Sequence, residues 1–385
     1  MLDRVKDITP IIRAHAAEAE ENRRLSRPVV DAMLQAGLYS MSHPRVLGGL
    51  EVDPLTMFRV VEEVARHDSA AGWNLQLAVA ANGMLAWLPD EGAAEIVHSD
   101  SSTIIATSFT PGRQATPVDG GYRLSGQWPF VSGGHDCHWV FFIPQIMDGN
   151  KPRLNDQGSP VQRLMFLPAD KATILDTWHT LGMRGTGSDD VAVSELFIPE
   201  RHTALMAPLE NPGTAYQGPL YRLTIWVPIA LLAPPTLGIA RAAIDDLIAL
   251  ARTKTPSYTG SSLAQRQVVQ RQVAEAEATL GAGRAYLYTT FQETWDTAVQ
   301  GAEITLDQKL RMQLATSHAV VCAARAVDLV HAAAGTSSIR NEYQFHKYFR
   351  DVHTITQHAF ASASRYESVG AVMLGVESDW GFFAF

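Results

Sequence analysis

The periodicity of the chain changes twice, and that most restricts what it can fold into. Over residues 101–201 short β-prone runs recur: Thr103-Ile104-Ile105, Gly121-Tyr122-Arg123-Leu124, Trp139-Val140-Phe141-Phe142-Ile143 and Val191-Ala192-Val193. Gly, Pro, Asp and Asn separate them, as turns between strands require. On both sides of this block the apolar residues fall at helical spacing. The order predicts an α+β multidomain protein, with a helical domain over residues 1–100, a β domain over 101–205 and a helical bundle over 221–385. A chain of 385 residues is long enough for two or three such cores.

In the first block Pro28 marks a helix start, with Val29, Met33, Leu34 and Leu38 on one face. Leu47-Gly48-Gly49 and Pro54 mark a loop before a helix through Val60, Val61 and Val64. Asp68-Ser69 offers an N-cap to a nearly all-apolar helix over 70–88, which Pro89 ends. Such a helix is buried on all sides. Residues 202–220 read as a linker. Beyond it, helices are expected over 239–252, 262–295, 306–334 and 343–374, long enough to pack together as a four-helix bundle.

Composition excludes several classes of partner. The formal net charge of -9 argues against nucleic acid and anionic membranes. The charged fraction of 18% is low, in keeping with surface covered by other subunits. Cys137 and Cys322 make neither a disulfide framework nor a zinc site. Residues 1–24 mix acids and bases without an apolar core, so no signal peptide is read, and the expected compartment is the cytoplasm. The most apolar stretch, 223–240, contains Pro228, Pro234 and Pro235 and reads as a buried helix restarted at the proline pair.

Neither GxxxxGK[ST] nor HExxH occurs, and no GxGxxG follows a strand and opens a helix. His135 and His138 read as polar loop and strand residues, so no metal is expected. Two glycine-rich segments stand out in the β block. One is Gly121 to Gly134, with Trp128, Phe130 and Ser132; the other is Leu181-Gly182-Met183-Arg184-Gly185-Thr186-Gly187-Ser188. Their composition suits a flat aromatic ligand approached closely by backbone. Physics alone favours a plainer account, β-turns around an aromatic core.

These segments resemble the two flavin-contacting stretches of the acyl-CoA dehydrogenase superfamily. Further matches follow in the same order. Ala36-Gly37-Leu38 and Gly48-Gly49 lie in the first block, Leu237-Gly238-Ile239-Ala240-Arg241-Ala242-Ala243 opens the bundle, and Lys347-Tyr348-Phe349-Arg350-Asp351 resembles an Arg-Asp signature. The resemblance spans nearly the whole chain. It implies a helical domain, a β-barrel or sandwich, and a four-helix bundle.

A dehydrogenase of this family needs a carboxylate base, usually eight residues after the Asp of the signature. Here that position is Ala359, and the alternative location, residues 223–244, contains no acid. Glu367 comes eight residues too late and reads as a surface acid. His358 stands beside the expected slot instead. The segment 350–358, the Trp-x-Phe-x-Ser-Gly pattern of Trp128, Phe130, Ser132 and Gly133, and Ala71-Gly72-Trp73 resemble the two-component flavin monooxygenases of the superfamily. Those oxidise hydroxyphenylacetate, secosteroid phenols, dibenzothiophene and indole.

That resemblance implies a reduced-flavin-dependent monooxygenase for a small aromatic or heteroaromatic substrate, working through a flavin C4a-hydroperoxide with O2. FMNH2 or FADH2 would come from a separate NAD(P)H:flavin reductase, since no nicotinamide-binding fold is present. His358 would be the acid/base and Ser132 would bond near flavin N5. Flavin contacts carry over to Thr107, Trp128, Phe130, Thr186 and Ser188. A neighbouring subunit of a homotetramer would add Gly335 and a basic helix near Arg266. Trp73, Asn82 and His353 are the candidate substrate residues. Relatives carry a histidine where this chain offers Asn82, so their substrates do not transfer. The rival readings are a flavin dehydrogenase or oxidase acting on a thioester or nitroalkane, and a flavin-binding scaffold without catalysis.

Overall fold

The computed structural model describes residues 1–98, 103–258 and 260–385. Five helices come first: α1 (Leu2–Asn22), α2 (Arg27–Gln35), α3 (Pro54–His67), α4 (Ser69–Gly83) and α5 (Asp90–His98). Local chemistry sets their starts. Asp53 caps α3 by accepting the Thr56 N–H at 2.9 Å, and Asp68 caps α4 by accepting the Ala71 N–H at 3.0 Å. The helix expected over 70–88 ends at Gly83 and continues as a 3-10 turn, Met84–Trp87. Its apolar composition is matched by burial all round, with α3 on one side and the first strand on another. The expected opening of the β block at residue 101 lies outside the described residues.

Ten strands follow: β1 (Ile105–Ser108), β2 (Gln114–Val118), β3 (Gly121–Trp128), β4 (Trp139–Phe142), β5 (Gln145–Asp148), β6 (Lys151–Pro152), β7 (Arg163–Pro168), β8 (Thr173–Leu175), β9 (Asp190–Pro199) and β10 (Thr203–Leu205). They form a four-stranded sheet, β1-β4-β7-β10, and a six-stranded sheet, β6-β5-β2-β3-β9-β8. Side chains alternate across each strand. Ala106, Val140, Phe142, Met165 and Leu167 of the small sheet meet Leu124, Trp128, Val191 and Val193 of the large one. The other face of the small sheet, with Ile105, Phe141, Leu164 and Phe166, joins the core of the helical layers. Burial on both faces explains why Trp139 to Phe142 is an unbroken apolar run. The linker expected over 202–220 is shorter than read, because Thr203, Ala204 and Leu205 pair with Met165, Leu164 and Arg163.

The remaining helices are α6 (Pro219–Arg222), α7 (Trp226–Ala230), α8 (Pro234–Thr253), α9 (Gln267–Val299), α10 (Leu306–Ala334), α11 (Phe345–Ile355) and α12 (Ser364–Met373). Pro234 and Pro235 open α8, where a missing N–H costs nothing. The stretch from α7 into α8 has the length and composition of a membrane span, and 89% of its most apolar window is buried inside the fold. One expectation is corrected. The single helix expected over 343–374 is two, because the chain turns between Ile355 and Ser364. The Thr354 and Thr356 hydroxyls donate to the carbonyls of Arg350 and His353, which weakens the helix there. Phe360 then leaves the helical path to pack on Phe109, Trp380 and Phe382. His358 lies in this turn.

Candidate active site

The site forms where α4, the loop after β3, the loop before β9 and the α11–α12 turn converge. Arg350 and Asp351 of α11 supply its framework. Asp351 is fully buried and receives the Met183 N–H at 2.6 Å, the Ser69 hydroxyl, and the Lys347 ammonium at 2.7 Å. Burial pulls the Lys347 ammonium down, but Asp351 and Asp68 outweigh it and hold the group above the ordinary lysine value. Arg350 binds Glu20 at 2.9 Å and the Leu181 carbonyl at 2.7 Å. A Cβ on Gly182 would run into the Arg350 carbonyl, so the loop can approach α11 only with glycine there. Met183 is held at φ +54°, a left-handed conformation costly for its side chain. Its N–H bond to Asp351 and the Trp178 indole bond to its carbonyl, at 3.0 Å, hold it there.

This loop carries Thr186 and Ser188 to Ser132. The Ser132 and Ser188 hydroxyl oxygens are 2.6 Å apart, as are those of Ser188 and Thr186. The Thr186 hydroxyl donates to the Met183 carbonyl at 2.8 Å, and the Trp73 indole N–H donates to Ser132 at 3.1 Å. Asn74 fastens the same place, donating to the Thr186 carbonyl at 3.2 Å. Beside this row Phe130 has φ +63° and is 63% exposed, its ring edge-on to Trp178.

Against Trp73 packs an aromatic cluster. The His358 ring meets Trp73 edge-on at 5.7 Å and Phe360 at 5.7 Å, and Phe360 meets Phe109 at 5.6 Å. The Phe360 N–H donates to His358 Nδ1 at 3.3 Å, which places the proton of a neutral ring on Nε2. The His358 ring is packed among protein groups, and that burial pushes the imidazole down to about 4. It is neutral across the ordinary pH range.

The structure rearranges the expected site. His358, Ser132 and Trp73 are brought together. Thr186 and Ser188 are buried behind Ser132 with their hydroxyls bonded in the row, so they support it rather than meet a ligand. Trp128 is corrected outright: it is fully buried between the sheets, stacked on Phe142 at 4.1 Å, because its place on β3 points it inward. His353 is also corrected. It sits on the face of α11 toward α10, paired with Asp328 at 2.8 Å, while His358 lies beyond the end of α11 in the turn. Asn82 donates to the Tyr39 and Thr103 carbonyls at 2.8 and 3.1 Å, holding α4 to its neighbours. Arg266 and Gly335 are exposed, at turns that both touch Lys254, and neither bonds to the row around Ser132.

Glu367 is exposed on α12 and Ala359 is exposed in the turn, so no carboxylate occupies either place. The first acids beyond residue 244 are engaged elsewhere: Asp245 pairs with Arg66 at 2.7 Å and Asp246 accepts from the Tyr348 hydroxyl at 2.7 Å. Sequence reasoning missed Phe109, Phe360, Asn74 and Lys347. Only Lys347 carried a signal, as the residue one helical turn before Asp351.

A flat, polar-edged cofactor fits this place. Thr107 Oγ1 and Asn74 Oδ1 are buried without a hydrogen-bond partner, an arrangement that costs stability until something binds. The exposed Phe130 ring, two residues before Ser132, supplies an apolar surface.

Comparison with known proteins gives a consistent result. Residues 7–95 match the family model described as acyl-CoA dehydrogenase, N-terminal domain, and residues 230–363 match the C-terminal domain of the same family. The chain is 32% identical to an indole-3-acetate monooxygenase of Pseudomonas putida, over 97% of this chain and 92% of that protein. It is 25% identical to the oxygenase subunit HsaA, a flavin-dependent monooxygenase of Rhodococcus jostii, over 93% of this chain and 94% of that protein. Among solved structures it superposes on XiaF from a Streptomyces species, in complex with FADH2 and glycerol, with a TM-score of 0.89 and 24% identity, covering 98% and 96% of the two chains.

Proposed function

The chain belongs to the acyl-CoA dehydrogenase family, and from that premise we propose that it is the oxygenase component of a two-component flavin-dependent monooxygenase acting on a small aromatic or heteroaromatic compound. One observation carries this reading. A neutral histidine, not a carboxylate, packs against Trp73, whose indole bonds Ser132. A dehydrogenase has no base to work with at either family position, whereas an oxygenase needs a shielded recess with a residue able to manage one proton.

Bound FMNH2 or FADH2, delivered by a separate reductase, would supply the electrons by which one atom of O2 enters the substrate and the other leaves as water. The residues of this chain do the rest. Ser132 fixes the edge of the flavin, and Trp73 fixes Ser132. Phe130 presents a ring, while Thr107 and Asn74 satisfy their free oxygens on polar flavin edges. Phe109 and Phe360 form apolar walls that hold a flat substrate and exclude water. His358, neutral and with its proton on Nε2, takes part as a hydrogen-bond donor, not as an imidazolium acid.

The test is a panel of phenols and indoles incubated with the protein, a generic NAD(P)H:flavin reductase and O2, read by mass gain of one oxygen. Under these conditions Ser132→Ala should keep the fold yet divert oxygen to hydrogen peroxide. Unaltered coupling of flavin consumption to product would remove Ser132 from its role.

A homotetramer in which Arg266 and Gly335 serve a neighbour's flavin completes the proposal. It rests on both residues being exposed and unused by their own site. Light scattering paired with flavin titration checks it: a monomer that binds reduced flavin normally refutes it.

A further inference from the structure

The aromatic cluster at His358 is closed by a segment from outside the turn that carries it. The Phe360 ring lies among Phe109 at 5.6 Å, Trp380 at 5.0 Å and Phe382 at 5.0 Å. The last two belong to the stretch beyond α12, which runs through Trp380 into a 3-10 turn, Gly381–Ala384.

This stretch is held unevenly. Trp380 is its fixed point. It is 9% exposed, its indole N–H donates to Gln313 Oε1 at 3.1 Å, and the Arg365 guanidinium lies 4.1 Å from its ring centroid. Gln313, fully buried, also donates to the Phe360 carbonyl at 2.9 Å, so one side chain ties Trp380 to the Phe360 backbone. Beyond Trp380 the hold is weaker. A Cβ on Gly381 would meet nothing within 4 Å. The Lys309 ammonium reaches the Phe383 carbonyl, and the Thr224 hydroxyl the Phe385 carbonyl, each at 3.4 Å, which is long for such bonds. Phe382, Phe383 and Phe385 are half-buried and kept down by ring contacts, Phe382 on Phe360 and Phe383 stacked on Trp226 of α7 at 6.0 Å.

A firm anchor, a glycine with free space around it, and then rings held mainly by contact make a hinged strap. We propose that Gly381–Phe385 gates the substrate place, with Phe382 as the positioning residue. Closed, the strap presses the Phe360 ring toward His358 and Phe109; swung away about Gly381, it lets that ring turn aside and admit a flat aromatic compound. Gln313 holds the Phe360 backbone, so the ring alone has to move. A substrate ring lying against Phe360 adds contact to the closed state, and the strap then covers the filled site and keeps water out. The inference rests on the reading above that a flat substrate lies against Phe360. It adds the segment that opens and shuts that place and the residue that sets the room inside it.

The test uses Phe382→Ala, which removes the ring pressing on Phe360 and leaves Trp380 and Gln313 in place, and Phe382→Tyr, which keeps the ring. The full chain is assayed with a generic flavin reductase and O2 on the panel member it oxygenates best and on the analogue with one more fused benzene ring, naphthol beside phenol or carbazole beside indole. The readout is the ratio of the two kcat/KM values. In Phe382→Ala the ratio should move toward the larger compound by about tenfold, the scale on which an apolar wall discriminates. Phe382→Tyr should keep the original ratio. A weakened fold lowers both values together and leaves their ratio alone. In parallel, amide hydrogen exchange over residues 381–385 is followed by mass spectrometry with and without the same panel member; it should be much faster than over α10 and slow when the compound is added. An unchanged ratio in Phe382→Ala, an equal shift in Phe382→Tyr, or exchange over 381–385 that the compound does not slow overturns the strap while the substrate reading stands. If the unmodified protein oxygenates no panel member, the substrate reading fails and takes the strap with it.

Discussion

His358→Ala is expected to lower single-turnover product formation by roughly 10²–10⁴-fold, the usual worth of a positioned acid/base group, with little loss of stability. The ring is a titratable group within the aromatic cluster, and its place between Trp73 and Phe360 is set by contacts the substitution leaves standing. Because burial pushes its imidazole down to about 4, the neutral form persists far below the ordinary histidine value of about 6.5. The sign follows directly. A reaction that needs neutral His358 stays level as pH falls through 6.5 and declines only on approach to 4. An unshifted histidine would halve the rate near 6.5. Glu367→Gln, on the exposed face of α12, should be nearly silent. Measured with pre-reduced flavin and oxygen, an active His358→Ala beside a dead Glu367→Gln would overturn the assignment and bring back the dehydrogenase reading.

The second large effect belongs to a residue that touches no ligand. Asp351→Ala should destabilise the protein by about 3–5 kcal/mol, because it takes the nearer of two carboxylates from the buried Lys347 ammonium. The ammonium keeps only the longer contact to Asp68, at 3.4 Å, and its bond to Ser69. The substitution also frees the Met183 N–H and the Ser69 hydroxyl, which Asp351 now accepts. Asp351→Asn keeps a carbonyl oxygen for Met183 but removes the charge, so its cost should fall between that of Asp351→Ala and zero. Denaturant midpoints measure both. Since Met183 also ends the hydroxyl row, each variant should weaken flavin binding in proportion to its destabilisation. A midpoint for Asp351→Ala within error of the unmodified protein would show that the cluster is not the framework described here.

The Arg-Asp signature illustrates how far sequence reading goes. It marks the right place on α11, but its matching position beside a catalytic slot does not disclose its work. The structure shows Arg350 and Asp351 holding a loop that lies 168 residues away in the chain. The same holds for Thr186 and Ser188, which stand in the matching segment yet bond to Ser132 rather than face a ligand. Trp128 lies two residues before Phe130 on the same pattern, and the sandwich takes it for its core. The opposite happened at 356–363, where helical periodicity ran on through a turn that Phe360 and its aromatic neighbours impose.

What the sequence by itself determined here is short-range. Apolar spacing marked α4 and α10, Asp53 and Asp68 capped their helices, and the proline pair restarted α8. Each of these depends on groups within a few residues, which a linear pattern records. Only the tertiary structure decided the site. Trp73 meets Ser132 across 59 residues, Ser132 meets Ser188 across 56, and Ser69 meets Asp351 across 282. Hydrogen-bond partners and the shift of a buried imidazole both depend on which groups surround a side chain in space, and no linear pattern carries that.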